Sequence, residues 1–130
     1  MDQNILIVED HQGVRKSLRE WLVLSFPQYQ LLEATTGEEA ITMAQTTSPC
    51  LVIMDIGLPG MSGIEATVAI KKSLPSTQVV MLTVYDDDDY RNHAAAAGAS
   101  AYVAKRKVKT DLLPTIRRVL EGRKGEAPHD

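Results

Sequence analysis

The chain has 130 residues and a formal net charge of −3, from 14 Lys and Arg against 17 Asp and Glu. That length fits one globular domain, 44% hydrophobic residues allow a packed core, and the mildly acidic balance lacks the electrostatic footprint of a nucleic-acid-binding domain. One cysteine, Cys50, excludes an internal disulfide, and no apolar run approaches the ~20 residues that span a bilayer.

Taken in chain order, two kinds of segment alternate. Ile5-Leu6-Ile7-Val8 is a short β-branched run that ends at Glu9-Asp10. Val14, Leu18, Trp21 and Leu22 come next, at the spacing of one helix face. Tyr29 to Leu32 is a weaker apolar run. Thr36-Gly37-Glu38-Glu39 has the pattern of a capping box ahead of Ala40, Ile41 and Ala44. Leu51 to Met54, opened by a Cys50 expected to be buried, is the third strand-like run and ends in Asp55. Ser62-Gly63-Ile64-Glu65 is a second capping pattern, leading into Val68 and Ala69. Val79 to Leu82 is a fourth run, ending in Thr83. Asp87 to Ala97 reads as a helix stopped by Gly98. Ala101 to Ala104 is the fifth run, ending in Lys105. Leu112, Leu113, Ile116, Val119 and Leu120 form the stripe of a last helix, with Pro114 expected in or near its first turn.

Strand-like runs that are apolar on both faces suit a parallel sheet covered on both sides by helices. Five βα units predict an α/β, flavodoxin-like, doubly wound sheet in the order 2-1-3-4-5. The domain is expected over residues 1–122. Residues 123–130 read as a polar tail or the start of a linker. The basic residues from Lys105 to Lys124 are expected on the solvated side of the last helix. A soluble cytoplasmic protein without a signal peptide is the expectation.

In such a sheet, ligands bind beyond the carboxyl ends of the strands at the switch point. The polar residues at the ends of the runs are Glu9, Asp10, Asp55, Thr83 and Lys105, and the topology puts all five on one edge. Clustered carboxylates repel unless a cation joins them, and a hard-oxygen site with room for water suits Mg²⁺. A metal-neutralised carboxylate can attack phosphorus, and an ammonium and a hydroxyl suit phosphoryl oxygens. Two acids after the first strand, with no Gly-rich cradle, argue against a flavin or dinucleotide site. Gly57, where a second acid would be needed, argues against a haloacid-dehalogenase-type phosphatase. A constitutive binding scaffold would not need all five polar residues. An enzyme acting on an external substrate lacks an evident pocket element. His11 is expected as a partly exposed loop residue.

These residues resemble the response-regulator receiver family from about Asn4 to Gly122. The matching pieces are Ile5 to Asp10, Met54-Asp55-Ile-Gly-Leu-Pro59-Gly-Met-Ser-Gly63, Met81-Leu-Thr83 and Ala97 to Lys105. Asp10-His11, Val14-Arg15 and Gly98-Ala99 look like the LuxR-type transcriptional subgroup. The resemblance implies a phosphorylation-controlled signalling switch that catalyses only its own phosphoryl transfer and dephosphorylation. It implies Asp55 as phosphoacceptor and Glu9 and Asp10 as Mg²⁺ holders, one directly and one mainly through water. The Gly57 carbonyl would be a further metal ligand, and Lys105 would pair with the phosphoryl group. Thr83 would bond to that group and move, and Tyr102 would rotate inward, altering the face of the fourth helix, fifth strand and fifth helix. The donor would be a sensor histidine kinase or phosphotransfer protein, and a homodimer on phosphorylation is compatible with the family. No nucleic-acid or membrane contact is expected from this chain itself, although the subgroup carries a helix-turn-helix domain after the receiver. Arg106 stands where many members have proline after the lysine, so the isomer of the Lys105-Arg106 bond is open. With Gly57 bare, Tyr85 is expected to screen the phosphoryl group from water. The acidic run Asp86 to Asp89 reads as a helix N-terminus.

Overall fold

The computed structural model describes residues 3–85 and 87–126. Strands β1 (Asn4–Val8), β2 (Gln30–Ala34), β3 (Leu51–Asp55), β4 (Gln78–Thr83) and β5 (Ala101–Ala104) alternate with helices α1 (Gln12–Ser25), α2 (Gly37–Thr47), α3 (Gly63–Ser73), α4 (Asp88–Ala97) and α5 (Val108–Glu126). A 3₁₀ turn, Lys105–Lys107, joins β5 to α5. All strand pairs are parallel, in the order β2-β1-β3-β4-β5. The expected flavodoxin-like doubly wound sheet is present.

Alternation along each strand feeds two cores. Ile5, Ile7, Leu51, Ile53, Val80 and Leu82 face α1 and α5, where Leu18, Leu22, Leu112 and Ile116 are buried against them. Leu6, Val8, Val52, Met54, Val79 and Met81 face Ala40, Ala44, Ala66, Ile70 and Ala94 of the other three helices. Cys50 is buried, as expected.

Several local expectations shift. β2 begins at Gln30, and Tyr29 stays outside it, edge-on to Phe26 with centroids 6.0 Å apart. Val14 is 37% exposed, because the sheet-facing side of α1 centres on Leu18 and Leu22. Val68 is likewise exposed: α3 turns Ala66, Thr67 and Ile70 to the core. The Ser62–Glu65 capping box forms in full. At Thr36 only half of one forms, since Glu39 accepts from the N–H and hydroxyl of Thr35 instead. Asp87 caps α4, and Gly98 closes it at φ 104°, a left-handed conformation that glycine adopts without steric cost; Asp86 lies outside the described residues. Pro114 is the seventh residue of α5, past the first turn, because that helix already begins at Val108. α5 also continues beyond Gly122 to Glu126, and residues 127–130 of the expected tail lie outside the described residues. All described peptide bonds are trans, Lys105-Arg106 included.

Candidate phosphoryl-acceptor site

The carboxyl ends of β1, β3, β4 and β5 deliver the site. Glu9 and Asp10 leave β1, Asp55 is the last residue of β3, Thr83 the last of β4, and Lys105 comes directly after β5. Carboxylate oxygens of Glu9, Asp10 and Asp55 lie within 4.8 Å of one another. Glu9 and Asp55 are buried, and Asp10 is exposed at the mouth.

Each buried acid is held by two donors. Lys105 Nζ donates to Glu9 Oε1 at 2.8 Å and to Asp55 Oδ2 at 3.1 Å. The other Glu9 oxygen accepts the His11 N–H at 3.0 Å, and Asp55 Oδ1 accepts the Gly57 N–H at 3.1 Å. Burial pulls the Lys105 pKa down. The Glu9 hydrogen bond and the charges of Asp55 and Glu9 outweigh it, so the net direction is above the ordinary 10.5. Asp10 makes no hydrogen bond or ion pair among the described residues, which leaves its carboxylate free for a cation.

Three hard-oxygen acids with one ammonium among them match the donor chemistry of a Mg²⁺ site, so the residues present fit that ion.

Thr83 is fully buried on the same edge. The register pairs Asp55 with Leu82, one residue before it. Its hydroxyl oxygen accepts the Tyr85 N–H at 2.9 Å. Tyr102 lies on the α4 side, half-buried, donating its hydroxyl to the Tyr85 carbonyl, with the Arg91 guanidinium 4.6 Å from its ring centroid. The Tyr85 ring stacks on Tyr90 of α4, centroids 4.5 Å apart and planes 10° apart. The ring expected to screen Asp55 thus lies against α4. His11 does not enter the site by its ring: it caps α1, its Nδ1 accepting the Val14 N–H at 3.2 Å.

Two supporting residues carry no mark of their role in the sequence. Gly63 donates its N–H to Ile56 O at 2.9 Å, and a Cβ there would lie 2.1 Å from the Asp55 carbonyl oxygen. Arg15 Nη1 donates to the Glu9 carbonyl at 3.0 Å while its Nε pairs with Glu33. A close backbone approach leaves no trace in sequence beyond the glycine itself. Arg15 belongs to the Val14-Arg15 pair of the subgroup pattern, but nothing in that pair points to a carbonyl six residues before Arg15.

Residues 5–117 match the model of the response regulator receiver domain. The chain belongs to that family. It is 35% identical over 118 residues to the response regulator protein VraR of Staphylococcus epidermidis, covering 91% of this chain and 56% of that one. The chain thus spans about half the length of the curated relatives it matches. A LuxR-family two-component response regulator from an Aurantimonas species superposes with a TM-score of 0.86 at 34% identity, covering 95% of this chain and 88% of that one. A CheY-like receiver domain protein from Methanospirillum hungatei gives 0.88 at 29% identity, covering 98% and 100%. This receiver is a signalling domain of two-component systems. No described helix is long and apolar enough to cross a membrane.

Proposed function

We propose that this receiver accepts a phosphoryl group on Asp55 from a phosphohistidine of a sensor kinase or phosphotransfer protein, and that the modified state alters the α4-β5-α5 face. The observation that carries this reading is the Asp55 carboxylate, fixed between the Lys105 ammonium and the Gly57 N–H beside two further acids.

An Asp55 oxygen forms the bond to phosphorus as the bond to the donor's imidazole nitrogen breaks. Asp10, Asp55 and the Gly57 carbonyl would hold Mg²⁺, with Glu9 acting mainly through water. When bound, Mg²⁺ offsets the charge of the acids and of the incoming phosphoryl oxygens. Lys105 then pairs with a phosphoryl oxygen, a charge-assisted bond like the one it now makes to Asp55. Thr83 turns its hydroxyl proton toward the same group, which strains the Tyr85 N–H bond and draws on Tyr102 through the Tyr85 carbonyl. Only this differential contact selects the second state. The domain takes in residues 1–122, together with the end of α5 up to Glu126. Its output is a DNA-binding or other effector, supplied in the same polypeptide or by a partner.

The test is intact mass after incubation with acetyl phosphate. Wild type should gain one phosphoryl mass with Mg²⁺ and none with chelator. Equal labelling of Asp55→Asn would refute the assignment.

A further inference from the structure

The Asp10 carboxylate has no protein partner among the described residues, so its position follows its backbone. That backbone is held through Glu9 at two points. The Glu9 N–H donates to the Ala34 carbonyl at the end of β2 at 3.1 Å. The Glu9 carbonyl accepts from Arg15 Nη1 at 3.0 Å. Because the Glu9–Asp10 peptide is planar, fixing that oxygen also fixes the N–H and Cα of Asp10. Arg15 is aimed in turn from β2. Its Nε donates to Glu33 Oε1 at 3.0 Å, and its side chain is only 16% exposed. One rigid guanidinium thus spans a carboxylate on β2 and a carbonyl beside the acid cluster.

Two observations set Arg15 apart from a simple tie between α1 and β2. Arg19 already supplies that tie, its Nε 2.9 Å from the other Glu33 oxygen. Arg15 also stands in the fourth position of α1, close to the positive end of a helix whose first turn holds no acid. A cation there opposes the helix dipole, so helix stability does not account for it.

We propose that Arg15 is a positioning residue for the divalent-cation site: it orients the Glu9–Asp10 peptide so that the Asp10 carboxylate meets Asp55, and Glu33 holds it in place to do so. The inference rests on the reading of the acid cluster as a Mg²⁺ site. Arg15 sets how tightly the cation is held, not the transfer to Asp55 once it is held, and Glu33 acts only through Arg15.

Amide shifts on Mg²⁺ titration of the whole chain give a Kd without any phosphoryl transfer. Arg15→Ala should raise that Kd about tenfold, the lower end of what losing an outer partner of a metal ligand costs. Glu33→Gln should raise it too, and combining the two should raise it no further than Arg15→Ala alone, as expected where one residue acts through the other. Arg19→Ala should leave it unchanged. With acetyl phosphate, Arg15→Ala should need more Mg²⁺ for half-maximal labelling yet reach the wild-type rate at saturation, a split that a merely loosened fold would not give. A wild-type Kd in folded Arg15→Ala or, should that variant not fold, in Glu33→Gln would overturn this proposal alone. So would an Arg19→Ala Kd raised as far as that of Arg15→Ala, or a lower saturated rate at unchanged Kd. A wild type whose amides ignore Mg²⁺ would instead overturn the metal-site reading and this proposal with it.

Discussion

Lys105 shows how one side chain sets a site's resting state. It holds two buried carboxylates together, and they in turn hold its pKa above the ordinary value despite burial. A raised folded-state pKa contributes stability that is complete below the unfolded value near 10.5 and is lost as pH climbs through the higher folded value. Between about pH 7 and 9 the ammonium therefore contributes constantly, and urea denaturation of Lys105→Met should show the same loss across that window. A loss that grows steadily toward pH 9 would contradict this. The two glycines beside Asp55 should respond in opposite ways. A Cβ at Gly57 meets only Asp55 Oδ1, at 3.9 Å, so Gly57→Ala should change stability by less than about 0.5 kcal/mol. A Cβ at Gly63 runs into backbone, so Gly63→Ala should cost about 3 kcal/mol or more, read as a lower urea midpoint. Asp10, free of protein partners among the described residues, should dominate ion binding: amide shifts on Mg²⁺ titration should weaken sharply in Asp10→Ala. The acids, Thr83 and Lys105 are legible in the sequence because each ends an apolar run, and parallel topology forces such ends onto one edge. Gly63 and the Tyr85–Tyr90 stack are not, because both depend on how closely neighbouring elements approach.

At the scale of elements, capping and packing decide where each segment settles. Ser62 and Glu65 complete their reciprocal cap, and Gly63 lets α3 start directly behind Asp55. That start rotates the helix so that Thr67 and Ile70, and not Val68, enter the core. Spacing alone predicts a helix there but not its rotation, since Ala66 and Val68 are equally apolar in a sequence. The same ambiguity misplaces Val14, which an apolar count assigns to the core and the α1–α5 gap leaves exposed. α5 carries Pro114 at an exposed position past its first turn, without an N–H to continue the helix ladder. Pro114→Ala should therefore stabilise the chain by about 1 kcal/mol or more, seen as a higher Tm. The stack of Tyr85 on Tyr90 ties the end of β4 to α4 and is worth about 0.5–1.5 kcal/mol. Tyr85→Ala should accordingly speed amide exchange in the first turn of α4 while leaving phosphoryl loss from Asp55 unchanged. Faster phosphoryl loss would restore Tyr85 as a shield.

Over the whole molecule, the sheet separates two packed layers of helices. Thr83 of β4, Tyr85 just beyond it and Tyr102 of β5 form a chain of contacts that reaches α4. The outer side of α1 lies beyond the opposite core. Beryllofluoride, a mimic of the phosphoryl group, should therefore change hydrogen exchange in β5 and α4 and leave β2 and α2 as they were. The order of five strands is legible because the runs are apolar on both faces and separated by helical spacing, which leaves little choice of layer. The central claim is that Asp55, and no other carboxylate, takes the phosphoryl group. Borohydride reduces an aspartyl phosphate to homoserine, so reduction of Mg²⁺- and acetyl phosphate-treated protein, with peptide sequencing afterwards, locates it directly. Homoserine at position 55 alone is the expected result; homoserine at position 10, a reduced side chain at position 9, or no homoserine at 55 in protein that carries the added mass, would contradict the account.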